Sequence, residues 1–326
     1  MDYAARYFLI GVGACVLFAT AVNASTPESD CTRIEQASDR LACYDRAHAK
    51  PAQSMSSESH DGTGAPDASI FEKRWEQDAA RKTFEPTAYR PSYVLPIFYN
   101  TSPNNVPYAS DPDADLDHNE IKFQISLQLK VDNNFLGSSG DLWFSYTQQS
   151  WWQAYNKDIS SPFRETNYEP EFYWSTLTDY SVFGMRGRQL NIGVVHQSNG
   201  QSDALSRSWN RVYASIGLER DNFSLIIKPW VRIPENDNSD DNPDIIDYMG
   251  HGEVWGFYKY DNHLFALMLR NIENLDQGGA EFDWSFPISR HLRGLVQVYN
   301  GYGESLIDYN HSSHRIGVGL LLSDWL

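Results

Sequence analysis

The stretch that decides the fold is IKFQISLQLKV, residues 121–131. Its odd-numbered residues are all apolar and its even-numbered residues are all polar. Successive side chains of a β-strand point to opposite faces, so this pattern predicts a strand with one apolar and one polar face. A strand that crosses a membrane needs about 9 to 11 residues, whereas strands of soluble proteins usually have about 5 or 6. The unbroken alternation therefore favours a membrane-crossing strand whose apolar face meets lipid.

Further segments with strand patterns follow each other to the end of the chain. With the first stretch they make twelve, at about 90–100, 120–131, 140–152, 166–178, 185–198, 208–219, 222–233, 250–260, 263–271, 279–287, 291–301 and 314–324. Short connections such as 219–222 and 260–263 alternate with long ones such as 234–249 and 302–313. Bacterial outer-membrane barrels have short periplasmic turns and long outer loops. An even number of strands leaves both ends of such a barrel on the periplasmic side.

These patterns predict an all-β fold, a twelve-stranded antiparallel transmembrane β-barrel. Closure of the barrel removes the exposed strand edges that a lipid environment does not tolerate. The alternative is a soluble β-sandwich, in which a second sheet would have to cover every apolar row. A sandwich explains neither the length of the strands nor the alternation of short and long connections.

The region before the barrel divides into two parts. Residues 1–24 read as a secretory signal peptide, with Arg6 as its charge and an apolar core before small residues. Residues 25–85 are expected to form a short, partly helical or disordered periplasmic extension, whose stretch 49–69 has the Ser, Gly and Pro content of a linker. The barrel domain is then expected to span 86–326.

Two cysteines, Cys31 and Cys43, remain after removal of the signal peptide. An exported protein encounters conditions in which such a pair can form a disulfide. On one continuous helix the two would lie ~18 Å apart, too far for a bridge, so a disulfide requires the chain to turn between them.

The composition narrows the classes of function. The chain has 26 Lys and Arg against 43 Asp and Glu, a net charge of −17, which argues against binding of nucleic acid. It also has 10 Trp, 19 Tyr and 16 Phe, an aromatic content that suits the girdles at the rims of a membrane barrel.

A candidate active site follows from LNIGVVHQSNG, residues 190–200, where an apolar row continues into polar side chains. His196 and Ser198 share a strand face with the apolar residues before them. A hairpin centred near Asp203 places Asn210, on the next strand, opposite His196 on that same outer face. In a barrel, this face meets lipid, and its end lies at the boundary with water.

These residue types fit ester hydrolysis. Ser198 would be the nucleophile, His196 the general base, and Asn210 the group that orients the imidazole by accepting its other N–H. Gly200 can offer its backbone N–H to the oxyanion and lets the substrate come close. The alternative is a polar strand end that simply enters an outer loop.

The sequence resembles the outer membrane phospholipase A family over roughly 86–326. The resemblance is carried by HQSNGQSDALSRSWNR (196–211), SSPFRETNYEP (160–170), KPWVRIPENDNSDDNPDI (228–245) and GYGESLIDYN (301–310). It implies a Ser-His-Asn site at the outer-leaflet rim, with His196, Ser198 and Asn210 at the catalytic positions. It also implies calcium-dependent hydrolysis of phospholipid acyl esters at both glycerol positions (A1 and A2 activity), hydrolysis of lysophospholipids, and activation by dimerisation.

The resemblance further implies a set of calcium ligands. They correspond to the carbonyl of Ser160 of the partner subunit, the carbonyl of Gln201, and Ser206 through its side chain and backbone. Calcium prefers such oxygen ligands. Gln201 replaces an arginine that is common in the family, which a backbone ligand tolerates. The Asp-rich loop 237–247 lacks the glycine and terminal glutamate of an EF-hand, and we interpret it as a solvated outer loop.

The segment GDLWFSYTQQSWW, residues 140–152, predicts a dimer contact. Gln148 shares a face with Leu142, Phe144 and Tyr146, which puts an amide in a lipid-facing row. An unpaired amide in hydrocarbon costs several kcal/mol, and a second copy of Gln148 across a two-fold axis would pair it. The family resemblance points to the same residue. The alternative is a different register, which would turn Gln148 inward.

The sequence thus predicts a calcium-dependent phospholipase in a bacterial outer membrane, acting as a homodimer on phospholipids and lysophospholipids of the outer leaflet. The alternative is a catalytically silent structural barrel, or a transport barrel. Against transport, the inward-facing residues Lys122, Lys130, Arg211 and Glu219 are expected to close the lumen with salt bridges.

Overall fold

The computed structural model describes residues 72–109, 115–157, 163–236, 240–290 and 292–325, together with Gln36 and Arg40. The chain divides into two compact units, Met1–Thr63 and Gly64–Leu326. In the first unit, the backbone N–H of Arg40 donates to the carbonyl of Gln36 over 3.0 Å. The predicted signal peptide and cysteine pair lie outside the described residues. The second unit contains the barrel.

The second unit consists mainly of antiparallel strands. The strands are β1 (Thr87–Ala88), β2 (Ser92–Asn100), β3 (Asn119–Asp132), β4 (Asp141–Trp152), β5 (Phe163–Val182), β6 (Met185–Ser198), β7 (Ser208–Arg220), β8 (Phe223–Ile233), β9 (Gly252–Tyr260), β10 (His263–Arg270), β11 (Gly279–Pro287), β12 (Arg293–Gly301) and β13 (Ser313–Ser323). The α-helices are α1 (Glu72–Ala79) and α2 (Ile245–Met249), with short 3-10 turns at Val106–Tyr108, Phe135–Gly137, Asp203–Leu205 and Leu275–Gln277. None of the described helices is long and apolar enough to cross a bilayer.

The predicted twelve-stranded barrel is confirmed. Strands β2 to β13 pair each with the next, and β13 pairs with β2, so the sheet closes on itself. Strand β1 is an extra element of two residues that pairs with β3 beside the ring. Because every barrel strand has a neighbour on both sides, the sheet has no open edge.

The alternation in β3 separates the lumen from the outer surface as predicted. Lys122 and Lys130 are each 1% exposed and point inward, whereas Ile125 is 50% exposed and points outward. Large apolar side chains on the outward rows of other strands are similarly exposed, among them Ile192, Ile316 and Val318. This is the reverse of a soluble protein, and it follows from lipid as the outer solvent.

The two ends of the barrel differ in their connections. Tight turns begin at Phe183, Asp221 and Asp261, each with φ between 50° and 52°, the left-handed conformation that closes a short hairpin. The long loops lie at the opposite end and span 101–118, 153–162, 199–207, 234–251, 271–278 and 302–312. One connection at the short-turn end, 133–140, is longer than these tight turns because it contains a 3-10 turn. The first and last residues of the barrel strands, Ser92 and Ser323, both lie at the short-turn end.

Charged side chains that point into the lumen form ion pairs towards both ends of the barrel. All four inward residues that the sequence analysis selected form ion pairs: Lys122 with Glu304 (3.4 Å), Lys130 with Asp141 (2.6 Å), Arg211 with Glu169 (3.6 Å) and Glu219 with Arg188 (3.0 Å). Loop residue Asp308 also turns inward, 2.7 Å from Arg164 and 3.4 Å from Arg315. Burial alone would raise the pKa of Asp308, but these two guanidinium groups outweigh it and lower the pKa to about 2.

Helix α1 packs into the short-turn end of the barrel, so the extension is helical over Glu72–Ala79. Trp75 is 7% exposed and belongs to a cluster with Phe257, Leu264 and Ala266. A Cβ atom on Gly217 would come within 2.5 Å of the Trp75 ring, so the absence of a side chain at Gly217 leaves space for this ring. A cavity of about 530 Å³ remains between this helix and the lumen.

Candidate active site

His196 and Ser198 lie on the outer surface of the barrel. Val194 and His196 are exposed and Ser198 is half-buried, whereas Val195 and Gln197 between them are buried on the lumen side. The outward orientation that the apolar row predicts is therefore confirmed. Both residues lie among the last three residues of β6, at its long-loop end. An outward side chain there meets the lipid–water boundary.

The register of β6 and β7 brings His196 directly opposite Asn210. The distance from His196 Nδ1 to Asn210 Oδ1 is 2.9 Å. An amide oxygen only accepts hydrogen bonds, so Nδ1 carries the proton and Nε2 keeps its lone pair. The imidazole is thus held as the tautomer that a general base requires.

Asn210 has a second partner, which sequence reasoning missed. Its Nδ2 donates to Glu235 Oε1 over 3.2 Å. Asn210 pairs with Ile233 at the end of β8, and Glu235 follows two residues later. Extension of the β8 row by one step would have placed Glu235 on the same face, but the loop composition gave no reason to extend it.

Ser198 lies two residues beyond His196 on the same face, next to the loop 199–207. It pairs with Ser208 of β7 and Tyr168 of β5. Among the described residues, no hydrogen bond joins Ser198 to His196. Contacts between a nucleophile and its base are often loose without substrate and tighten when it binds.

Asn199 organises the loop 199–207 from a buried position, and sequence reasoning missed it. Its Oδ1 accepts from the backbone N–H groups of Gln201 (3.3 Å) and Arg207 (2.9 Å), and its Nδ2 donates to the carbonyl of Leu205 (2.8 Å). One amide therefore ties both ends of the loop together. This fixes the backbone that carries Gly200 beside Ser198.

Gly200 has a conformation that only glycine adopts at low cost. Its φ is +65°, and a Cβ atom there would come within 3.1 Å of the Tyr168 ring. The residue is exposed, so its backbone is accessible from the outer surface. A side chain would both strain the turn and cover the approach to Ser198.

The predicted calcium ligands are only partly described. Gln201 and Ser206 lie on the same loop, and Ser160 falls outside the described residues. Ser206 Oγ donates to Asp241 Oδ2 (2.6 Å), and its carbonyl accepts from Arg207 Nη1 (2.6 Å). In the described part of the chain, no group of three or more His, Cys, Asp or Glu residues could hold a metal ion. The donors present are oxygens, which suits calcium in kind.

The Asp-rich loop contacts this site rather than being only solvated. Asp240 forms a salt bridge with Arg232 (2.6 Å), and Asn242 Oδ1 accepts from the backbone N–H of Ser208 (2.9 Å). With the Ser206–Asp241 bond, these contacts attach the loop to β8, to the start of β7 and to the loop 199–207. The contacts with Ser206 and Ser208 join residues 35 and 34 positions apart in the chain, so no local sequence pattern predicts them.

Gln148 lies on the outward face of β4, opposite Ile125 of β3. It is half-buried, and it has partners within its own strand: Tyr146 O–H donates to its Oε1 (3.0 Å), and its Nε2 donates to Ser150 Oγ (3.3 Å). The amide is therefore not unpaired in a single chain, contrary to the premise of the dimer prediction. One N–H and one lone pair of the amide remain for a further contact.

Comparisons with known proteins agree with these features. A family model described as Phospholipase A1 matches residues 71–322. Phospholipase A1 of Escherichia coli (strain K12) is 45% identical over 205 residues, which are 63% of this chain and 70% of that protein. Two solved structures superpose with a TM-score of 0.71 and 38% identity. One is an active-site asparagine-to-alanine mutant of outer membrane phospholipase A from Escherichia coli, with 77% of this chain and 97% of that chain covered. The other is a Salmonella typhi outer membrane phospholipase dimer with bound calcium, with 76% and 96% covered.

Proposed function

This chain belongs to the phospholipase A1 family of bacterial outer-membrane β-barrels, and on that premise we propose that Ser198, His196 and Asn210 hydrolyse acyl esters of phospholipids in the outer leaflet. The long-loop end of the barrel then faces outward and the short-turn end faces the periplasm. The observation that carries the proposal is the 2.9 Å contact between His196 and Asn210, next to Ser198 on the lipid-facing surface. An ester carbonyl of a lipid in the outer leaflet reaches this surface without leaving the membrane.

The reaction proceeds in two halves. In the first, Ser198 Oγ attacks the ester carbonyl carbon while His196 Nε2 takes the hydroxyl proton. The C–O bond to the glycerol oxygen then breaks, and His196 returns that proton to the leaving alcohol. In the second half, water attacks the acyl-enzyme with His196 as base again, which releases the fatty acid. Asn210 holds the ring in place throughout, and the backbone N–H of Gly200 stabilises the oxyanion.

The outward position of the site supports action on both ester positions and on lysophospholipids. No wall of the barrel encloses Ser198 on its lipid side, because His196 and Gly200 beside it are exposed. Either acyl chain can thus lie along the apolar row of Val194 and Ile192 while its ester reaches Ser198. This open geometry favours combined A1 and A2 activity over strict positional specificity.

We propose that calcium binds through the loop oxygens of Gln201 and Ser206 and, in a dimer, through Ser160 of the partner subunit. The calcium-bound dimer of the Salmonella typhi protein supports this. When bound, calcium supplies positive charge near the developing oxyanion. The Arg207 guanidinium, which contacts the Ser206 carbonyl at 2.6 Å, supplies a cation at that carbonyl in the single chain.

Chelation of calcium is expected to stop the release of fatty acid without unfolding the barrel. The charge at the oxyanion is lost, while the lumen ion pairs that hold the barrel do not involve the metal. The measurement is fatty-acid release from phospholipid in detergent, with and without chelator, beside the heat-dependent mobility of the folded protein on a gel. Calcium added back should restore release, and magnesium at equal concentration should not. Equal release with and without chelator would contradict the proposed metal dependence.

We propose that the dimer forms through the outward face of β4. Two copies of Gln148 across a two-fold axis can use the N–H and lone pair that each amide has left, which places a polar contact in an otherwise apolar interface. Ser160 belongs to the connection between β4 and β5, and we propose that a dimer formed through β4 supplies it to the partner's site. Calcium binding and dimerisation would then stabilise each other.

Replacement of Gln148 by alanine is expected to weaken the dimer by about 3- to 10-fold, the effect of one or two hydrogen bonds in a membrane interface. Sedimentation equilibrium in detergent with calcium measures the dimer fraction. Gln149→Ala is the matched control, because Gln149 points into the lumen and donates to Gln124 (2.7 Å). A control that dissociates the dimer as strongly as Gln148→Ala would place the contact elsewhere.

The lumen argues against transport as a second function. The four inward charged residues named above are paired, and Trp209, Ile245 and Leu306 pack into the space towards the long-loop end. The alternative of a catalytically silent barrel is tested by replacement of Ser198 with alanine, because a silent barrel has no hydrolysis for that change to abolish.

A further inference from the structure

We propose that Glu235 is a positioning residue of the active site, a fourth member that fixes Asn210 and through it the tautomer of His196. The inference rests on the proposed function, since it concerns the same reaction. Among the described residues, Glu235 accepts a hydrogen bond from Asn210, and no hydrogen bond joins it to Ser198. Its effect is exerted through the amide of Asn210.

The amide group of Asn210 is nearly symmetric in shape. The oxygen and nitrogen of Asn210 are nearly equal in size, so sterics alone do not decide which one faces His196. If the amide rotated by half a turn, its NH₂ group would face His196 and its oxygen would face another residue. His196 would then present the lone pair of Nδ1 to this NH₂ and carry its proton on Nε2. In that tautomer Nε2 cannot take a proton from Ser198.

Glu235 removes this ambiguity because a carboxylate only accepts hydrogen bonds. Its Oε1 lies 3.2 Å from Asn210 Nδ2, while Asn210 Oδ1 lies 2.9 Å from His196 Nδ1. Rotation of the amide would set its oxygen against the carboxylate oxygen, a repulsive contact at a half-buried position. The bond to Glu235 therefore selects the orientation in which His196 works as a base.

The carboxylate also supplies the charge that the amide lacks. A neutral asparagine stabilises the imidazolium of the transition state less than an aspartate would. Glu235 supplies a negative charge that is connected to His196 through one intervening group, the amide of Asn210. At the lipid boundary, where water screens charges less, this attraction acts over that distance.

The chain contains a second His–Asn pair that lacks such a carboxylate. On β13 and β12, His314 lies opposite Asn300 and its Nδ1 contacts Asn300 Oδ1, again on the outer surface at the long-loop end. Ser312 lies two residues from His314, as Ser198 does from His196. Among the described residues, Asn300 donates to no carboxylate. The feature that distinguishes the 196–210 pair is thus the acid behind its amide.

The experiment compares six variants with the unchanged protein in steady-state hydrolysis of a phospholipid in mixed micelles with saturating calcium. Glu235→Ala removes the acceptor and the charge, and kcat should fall about 10- to 100-fold, the effect of losing a partner that orients a reacting group. Glu235→Gln keeps an acceptor, so its kcat should fall less. KM should stay within about twofold in both, because Glu235 does not touch the lipid. Glu273→Gln is the matched control, a loop carboxylate at the same end that pairs with His251 (2.6 Å) and should leave kcat unchanged.

A double variant exchanges the amide and the carboxylate, and it is compared with the single variant at Asn210. Asn210→Asp alone sets a carboxylate against that of Glu235 and should lower kcat. Asn210→Asp combined with Glu235→Gln restores a donor facing an acceptor, because the new amide at 235 can donate to the new carboxylate at 210. The double variant should exceed Asn210→Asp by about tenfold or more, a rescue that a merely structural role would not produce.

The results distinguish a failure of the role of Glu235 from a failure of the proposed function. Ser198→Ala is measured in the same assay, and full activity of that variant would overturn the proposed function itself. If Ser198→Ala is inactive while Glu235→Ala has the kcat of the unchanged protein, only the role of Glu235 is overturned. A rise in KM with unchanged kcat, or a double variant no better than Asn210→Asp, would overturn it as well. The heat-dependent gel mobility of each variant verifies that the barrel is folded.

Discussion

Replacement of Ser198 by alanine is expected to lower the release of fatty acid by about 10⁴-fold or more, while the barrel folds as before. Loss of the nucleophile removes the acyl-enzyme route, and only the oxyanion donor and binding remain. Ser198 is half-buried on the outer surface and belongs to none of the described core clusters. Its replacement by alanine therefore removes few packing contacts. The measurement is phospholipid hydrolysis by refolded protein with calcium.

Ser312→Ala is the matched control for this prediction. Ser312 precedes a histidine with an opposed asparagine at the same end of the barrel, as the contact of His314 with Asn300 shows. Hydrolysis by this variant should equal that of the unchanged protein, because the second pair lacks the acid behind its amide. If Ser312→Ala abolished release and Ser198→Ala did not, the active site would lie on β12 and β13 instead.

Replacement of Arg164 by methionine is expected to destabilise the barrel by roughly 3 to 5 kcal/mol, the cost of breaking a buried ion pair from one side. Arg164 is almost fully buried, 2.6 Å from Glu120 and 2.7 Å from Asp308, which are themselves buried. Methionine keeps much of the volume but leaves both carboxylates with less compensation. The measurement is the free energy of unfolding from a urea titration in lipid vesicles, followed by tryptophan fluorescence.

The matched control is Arg186→Met at the opposite end of the barrel. Arg186 forms an ion pair with Asp179 at 3.1 Å, but both side chains are mostly exposed. Such surface pairs contribute about 0 to 1 kcal/mol. Equal losses of stability in the two variants would mean that the lumen network is not what holds this end of the barrel together.

The strands were predictable because their signal is local. In β3 the period of two between Ile121 and Val131 is set by neighbours in the chain, and lipid as outer solvent requires every outward position to obey it. The same row from Leu190 leads to His196, so the outward orientation of the candidate site could be inferred before any coordinates. The hairpin register then placed Asn210 opposite His196.

The dimer prediction shows where this reasoning reaches its limit. The pattern around Gln148 correctly indicates an outward amide, but it does not indicate that Tyr146 and Ser150 would satisfy part of it within one chain. These contacts depend on side-chain conformations that the alternation of faces leaves open. The argument for a partner therefore rests on the remaining capacity of the amide and not on an unpaired group.

The amino-acid sequence alone determines the class of fold, the number of strands, the face on which His196 and Ser198 lie, and the strand that supplies Asn210. Each of these depends on periodicity or on a short hairpin, and both are properties of residues close together in the chain. Glu235 behind Asn210, Asp241 beside Ser206, and Asp308 between two arginines became evident from the folded barrel. Each of these contacts involves a loop residue whose position depends on how the closed barrel arranges its loops, and no local sequence pattern encodes that arrangement.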